Sequence, residues 1–171
     1  MATEQFTDAI MLLRADHEEV RGLFEQFENA SGTEQKRQIA EKICDELKIH
    51  SMIEEEIFYP AFRGKIEDDM LDEAVVEHDG AKVLINDIMS GDAEEEYYDA
   101  KVTVLQEQIE HHVEEEEMPK EGMFAKCRET DVDLKALLEP MMARKEELMA
   151  LAESEGLPPA QLATVEAEAS A

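Results

Sequence analysis

In four separate stretches of the chain, an apolar stripe at helical spacing is interrupted by a histidine. Ile10, Leu13, His17, Val20, Phe24 and Phe27 alternate in steps of three and four residues, the spacing that keeps side chains on one face of a helix. Leu71, Ala74, His78, Ala81, Ile85 and Ile88 repeat the pattern. In the stripe Ile39, Ile43, Leu47, His50, Glu54 and Ile57 the histidine is followed one turn later by a glutamate, and Val102, Leu105, Ile109, His112 and Glu116 use the same device. Four such stripes fit four helices around one interior. That interior must then accept imidazoles and carboxylates.

The segments between these stripes support the same architecture. Ser31-Gly32, Gly64, Ser90-Gly91, residues 119–122 and the run Gly156-Leu157-Pro158-Pro159 punctuate the chain. The stretches between them are rich in Ala, Leu, Glu, Lys and Met, with few β-branched or aromatic runs, so each is expected to be helical. Thr7, Thr33, Asp68 or Asp69, and Asp92 with Glu95 stand where N-terminal caps are expected. Short connections then favour an all-α, up-and-down antiparallel four-helix bundle. A shorter C-terminal helix is expected from about 130, with Pro140 starting a new turn or kinking it. One domain, residues 1–154, is expected, followed by a disordered, acidic and Ala-rich tail over 155–171.

Charge and composition exclude several kinds of partner. Forty-four acidic side chains against 16 basic ones give a formal charge of -28, which repels a phosphate backbone and an anionic membrane surface. The opening run MATEQFTDAIMLLRADHE has no basic start, and Arg14 and Asp16 break its apolar stretch, so neither a signal peptide nor a spanning helix is expected. A cytoplasmic protein follows as the default. Cys44 and Cys127 are too few and too far apart for a disulfide framework or a thiolate metal site, and are expected to act as small buried hydrophobes.

The periodicity also orients the adjacent His111 and His112. The face of His111 and Glu115 runs back through Gln108 and Val104 and is partly polar, so His112 and Glu116 are the expected inward pair. Glu55, Glu56, Glu114, Glu115 and Glu117 then default to solvent. A single histidine on an apolar face is usually a satisfied core residue. Since roughly a third of helix positions face inward, however, four histidines doing so by accident is on the order of one in a hundred. Buried imidazoles and carboxylates without partners each cost roughly several kcal/mol, and a shared cation resolves all six at once. Four imidazoles and two carboxylates exceed the needs of one tetrahedral zinc and are too nitrogen-rich for calcium or magnesium. Two first-row ions suit the set, each with two terminal histidines and with Glu54 and Glu116 as bridges; iron is the leading candidate.

The segments DAIMLLRADHEEVRGLFEQFE, HSMIEEEIFYPAF, VVEHDGAKVLI and HHVEEEEMP, with GMFAK behind the last, resemble the successive motifs of the hemerythrin-like HHE cation-binding domains, in order and over roughly residues 5 to 150. The resemblance implies a four-helix bundle around a non-heme di-iron centre with an oxo or hydroxo bridge. Its ligand pattern falls on His17, on His50 with Glu54, on His78, and on His112 with Glu116, the six residues that periodicity selects. One departure bears on function. Oxygen-carrying hemerythrins have a further histidine four residues from the one on the third helix, whereas Ala74 and Lys82 flank His78 at that distance. One iron would lose a terminal ligand, and water, Tyr59 or Glu77 could take its place. The last cluster also closes as EMPKEGMF rather than repeating EIFYP.

The expected function is therefore that of a di-iron protein, monomeric in the simplest case, that binds or reacts with dioxygen, nitric oxide or peroxide in sensing or detoxification. A di-iron redox enzyme with peroxidase- or catalase-like turnover is one alternative, and iron storage or iron-level sensing another. Ferritin-like oxidases fit less well because their sites are dominated by carboxylates. A metal-free interaction bundle fits least.

Overall fold

The structure, a computed structural model, describes residues 6–165. Four long helices make an up-and-down antiparallel bundle: α1 (Ala9–Asn29), α2 (Thr33–Ile53), α4 (Asp68–Ser90) and α5 (Tyr98–Glu117). After Ile53 the second helix passes through a π-helical turn, Glu54–Phe58, into the short α3 (Tyr59–Phe62). A short α6 (Met123–Arg128) and a long α7 (Leu134–Ser154) follow, and α7 packs on α1, α2 and the π turn. No helix among the described residues is long and apolar enough to cross a membrane.

The helix starts differ from the expected caps in instructive ways. Asp8, not Thr7, caps α1, accepting from the Met11 N–H at 3.0 Å. Thr33 is already the first residue of α2, and Asp68 and Asp69 are the first turn of α4, where their charge favours the helix N-terminus. The fourth helix begins at Tyr98 rather than beside Asp92. Asp92 instead caps a tight turn by accepting from the Glu94 N–H at 2.9 Å, and the buried Tyr98 opens the helix proper. Helix α7 runs through Pro140 without ending there, and Asp133 caps it through the N–H groups of Lys135 and Ala136.

The core is two apolar clusters with a polar layer between them. Val20, Phe24, Ile43, Leu47, Ile85 and Leu105 belong to one cluster, and Ile10, Leu13, Ile53, Phe58, Leu71 and Phe124 to the other. Along each of α1, α2 and α4 the histidine falls where the chain crosses from one cluster to the other. Both cysteines are free and buried, one in each cluster, and burial pushes their thiols up to about 12.

The π turn shifts the register of the second stripe. Ile57, expected on the inner face, is only half-buried, while Phe58 and Tyr59 are fully inside. A π turn accommodates one extra residue, so the helical face rotates there relative to a fixed period.

The expected disordered tail needs correction over its described part. Residues 157–164 have no helix, as Pro158 and Pro159 dictate, but they lie along α2 and α4 as a strap. Asp79 accepts from the N–H groups of Ala163 (2.8 Å) and Thr164 (2.7 Å), and Asn86 pairs with the backbone of Ala160 in both directions. Lys48 and Lys82 donate to the carbonyls of Pro158 and Gln161. Paired polar backbone supplies the order that composition alone did not foretell. Residues 166–171 of the expected tail lie outside the described residues.

Candidate metal centre

The six inward residues of the four helices converge in the polar layer. His17 comes from α1, His50 from α2, Glu54 from the start of the π turn, His78 from α4, and His112 and Glu116 from α5. All six are buried, Glu54 completely and Glu116 to 1 % exposure. His111, by contrast, keeps 64 % of its side chain in solvent, so His112 faces the interior.

The contacts divide into two half-sites that share both carboxylates. In the first, His50 Nε2 stands 3.4 Å from Glu54 Oε2, and His17 Nε2 stands 3.3 Å from Glu116 Oε1. In the second, His78 Nε2 stands 3.0 Å from Glu54 Oε1, and His112 Nε2 stands 3.3 Å from Glu116 Oε2. Each glutamate thus turns one oxygen to each half-site. The ligand-type atoms of His17, His50, Glu54 and Glu116 all lie within 4.8 Å of one another, as do those of Glu54, His78 and His112.

Every imidazole is oriented by a carboxylate on its far nitrogen. His17 Nδ1 meets Glu117 at 2.5 Å, His50 Nδ1 meets Asp16 at 2.9 Å, His78 Nδ1 meets Glu55 at 2.7 Å, and His112 Nδ1 meets Glu77 at 2.6 Å. With Nδ1–H donating outward, the inward Nε2 carries the free lone pair that a metal requires. Glu55 and Glu117, expected in solvent, are therefore half-buried and tied to the centre. Each of the four outer carboxylates is adjacent in sequence to one of the six inward residues: Asp16 to His17, Glu55 to Glu54, Glu77 to His78, Glu117 to Glu116. Each serves a histidine on a different element, however, which periodicity within one helix does not reveal. Glu77, a candidate ligand by sequence, takes this orienting place. Helix α7 joins the frame through Lys145, whose amine lies 2.6 Å from Asp16 Oδ1.

Tyr59 stands inside the second half-site. Its hydroxyl donates to Glu116 Oε2 at 2.7 Å, with Glu54 Oε1 at 3.0 Å and His78 Nε2 at 3.4 Å. The first half-site has no such neighbour. There, His17 Nε2, His50 Nε2, Glu54 Oε2 and Glu116 Oε1 are all buried without a hydrogen-bond partner. Four unsatisfied polar atoms facing one point are costly unless a cation sits among them. The donor set fits a metal ion, and the two shared carboxylates fit a second one.

The charges respond to this crowding. Burial opposes ionisation of Glu116, as does Glu54, but His112 and His17 outweigh them and hold its carboxyl down at about 2. Burial disfavours a charged His50, yet Glu54 and Asp16 raise it to about 10, and His112 and His17 are likewise raised by their carboxylates against burial. Burial, then Glu116 and Glu54, push the Tyr59 phenol well above its usual range. Without metal, protons occupy the place that a cation would take.

A cavity of about 30 Å³ adjoins the four imidazoles and is otherwise lined mainly by apolar side chains, including Val20, Leu47, Ile85, Ile109 and Val113. It has room for a diatomic molecule or about two waters.

The sequence matches the family model of the hemerythrin HHE cation-binding domain over residues 8–127. No curated protein sequence matches the chain. Among solved structures, the fold is similar to that of a hemerythrin HHE cation-binding domain-containing protein from Mycobacterium kansasii, with a TM-score of 0.71 and 23 % identity over 89 % of this chain and 96 % of that one.

Proposed function

Because the chain belongs to the hemerythrin HHE cation-binding domain family, we propose that it holds two iron ions in the polar layer and binds or reacts with dioxygen, nitric oxide or peroxide there. The observation that carries this reading is the pair of buried carboxylates, Glu54 and Glu116, each with one oxygen in each of two histidine half-sites. His17 and His50 would hold one ion and His78 and His112 the other, with Glu54 and Glu116 each offering one oxygen to either. An iron pair supplies reducing electrons and open coordination positions for a small ligand. The chain's own residues do the rest. The outer carboxylates hold the imidazoles in one tautomer, apolar side chains make up most of the rest of the cavity wall, and Tyr59 holds a proton beside Glu116 and Glu54. All six proposed ligands come from one chain, so a monomer is sufficient.

The test is metal analysis with an absorption spectrum of protein isolated from iron-supplied cells. Two irons per chain, with near-ultraviolet bands that are absent in His50→Ala and Glu54→Ala, would support the reading. A stable protein that takes up no iron would overturn it.

A second reading, peroxidase- or catalase-like turnover at the same pair, is favoured by Tyr59. A phenol that holds a proton 2.7 Å from Glu116, beside the metal positions, can deliver it to a bound ligand or bind iron as an anion. Sustained consumption of peroxide by the iron-loaded protein distinguishes this reading from ligand binding alone.

A further inference from the structure

Beside the buried centre, on the surface between α4 and α5, stands a second group of metal-type donors. His111 Nε2 lies 3.0 Å from Glu115 Oε1, one turn along the same helix, and 3.6 Å from Glu77 Oε2 across the groove. One donor atom from each of the three falls within 4.8 Å of the others. Glu77 also touches the buried centre from outside, since its other oxygen, Oε1, accepts from His112 Nδ1 at 2.6 Å.

Two of the three, Glu77 and Glu115, line a cavity of about 300 Å³ whose wall also includes His112 and Glu116 of the buried centre. Glu116 is 1 % exposed, and its Oε2 is the oxygen nearer His112, at 3.3 Å. Glu73, Glu77, Glu115 and Glu121 are among the carboxylates lining this cavity, and no lysine or arginine lines it. The opening under the strap is lined by Lys48, Lys82 and Arg144 together with Glu55 and Glu56, and Lys82 pairs with Glu55 and Arg144 with Glu56. A cation approaching the buried centre past Glu73, Glu77, Glu115 and Glu121 is attracted, with no such net attraction under the strap.

We propose that Glu77, His111 and Glu115 form an external site for a first-row divalent cation and that it passes metal to the buried centre along the Glu77 carboxylate. The proposal rests on the metal-binding reading above. An imidazole added to two carboxylates shifts preference from magnesium and calcium toward first-row ions. Exposure keeps binding weak and exchange fast, as a relay requires, because water and salt screen the charges. Glu77 is suited to the transfer because it stands between the two sites, with one oxygen toward His111 and the other on the outer nitrogen of His112. No redox step is involved; the ion exchanges one set of ligands for another, and protons leave the inner imidazoles as it arrives.

The test uses the full chain, freed of metal, mixed rapidly with Co²⁺, whose ligand-field bands report filling of the buried site. His111→Ala and Glu115→Gln change exposed side chains and leave the six inward residues intact. Each is expected to slow filling by about tenfold or more at low salt, with the difference shrinking at high salt, while the final number of buried ions stays unchanged. With the buried sites already filled by Zn²⁺, the unaltered chain should bind one further Mn²⁺ weakly by electron paramagnetic resonance, and both variants should lose that ion. Filling at the unaltered rate in both variants, or absence of the extra Mn²⁺, overturns the relay while leaving the buried centre intact. If the unaltered chain takes no Co²⁺ into the interior, the metal-binding reading itself falls and the relay with it.

Discussion

The hydroxyl of Tyr59 donates to Glu116 Oε2 across 2.7 Å, placing a phenol in the second half-site and none in the first. Four histidines and two carboxylates alone would make the two half-sites nearly equivalent. Tyr59 makes them different, and two ions bound there would differ in ligation and in redox behaviour.

Tyr59→Phe tests this asymmetry. Iron content per chain should stay the same, because both bridging carboxylates and all four imidazoles remain. Any visible band from phenolate-to-iron charge transfer should disappear. The absorption spectrum of the oxidised protein reads the outcome, and an unchanged visible spectrum would assign Tyr59 to hydrogen bonding alone.

Asp16→Asn should weaken metal binding without abolishing it. Asp16 joins His50 Nδ1 to Lys145 on α7, so the change removes the charge that orients one imidazole. Loss of such an outer partner costs about 10- to 100-fold in affinity. Competition with a chromophoric chelator measures it, and Lys145→Met, which leaves the carboxylate in place, should have a smaller effect.

The metal-free protein should be most stable in mildly acidic solution. Folding raises His50 to about 10 and also raises His17 and His112, so their contribution is complete below their unfolded value of about 6.5 and is lost as pH rises toward 10. Folding lowers Glu116 to about 2 and also lowers Asp16, so their contribution is present above about 4.5 and is lost as pH falls toward 2. Thermal melts across this range should show a maximum between about 4.5 and 6.5. Added metal should remove the alkaline decline, because a cation then does what the protons did. A flat alkaline limb in the metal-free protein would contradict the assignment of charge to these imidazoles.

Asp79→Ala should release the strap. The Asp79 carboxylate accepts from two backbone N–H groups and from the Thr164 hydroxyl, and its loss strands them. Limited proteolysis should then cut within residues 157–164, while α1 to α7 remain protected. Cleavage at equal rates in both proteins would show that the lysine contacts suffice.

Most of the fold and the inward placement of all six residues are legible in the sequence because both obey a period. Ile10, Leu13, His17 and Val20 share a face whatever lies opposite them, and the same reasoning separates His112 from His111. Periodicity fails where the relevant partner is on another helix. Glu55 and Glu117 look like members of solvated acidic runs until His78 and His17 arrive from α4 and α1. It fails again where the backbone leaves the period: a fixed period puts Ile57 inside, whereas Phe58 is the buried residue. The strap escaped for a third reason: its order comes from main-chain groups paired with Asp79, Asn86 and two lysines, and main-chain pairing leaves no trace in residue type.

The π turn reaches further than packing. Glu54 and Tyr59 are five residues apart, which in an α-helix separates side chains by about 140° and would point the phenol away from the carboxylate. Here the Tyr59 N–H bonds to the Glu54 carbonyl, closing a wider turn that brings both side chains to the same centre. Closing the same five-residue spacing as ordinary α would turn the phenol aside, with every histidine and glutamate untouched. What surrounds the buried carboxylates thus depends on the hydrogen-bond register of the backbone as much as on residue identity.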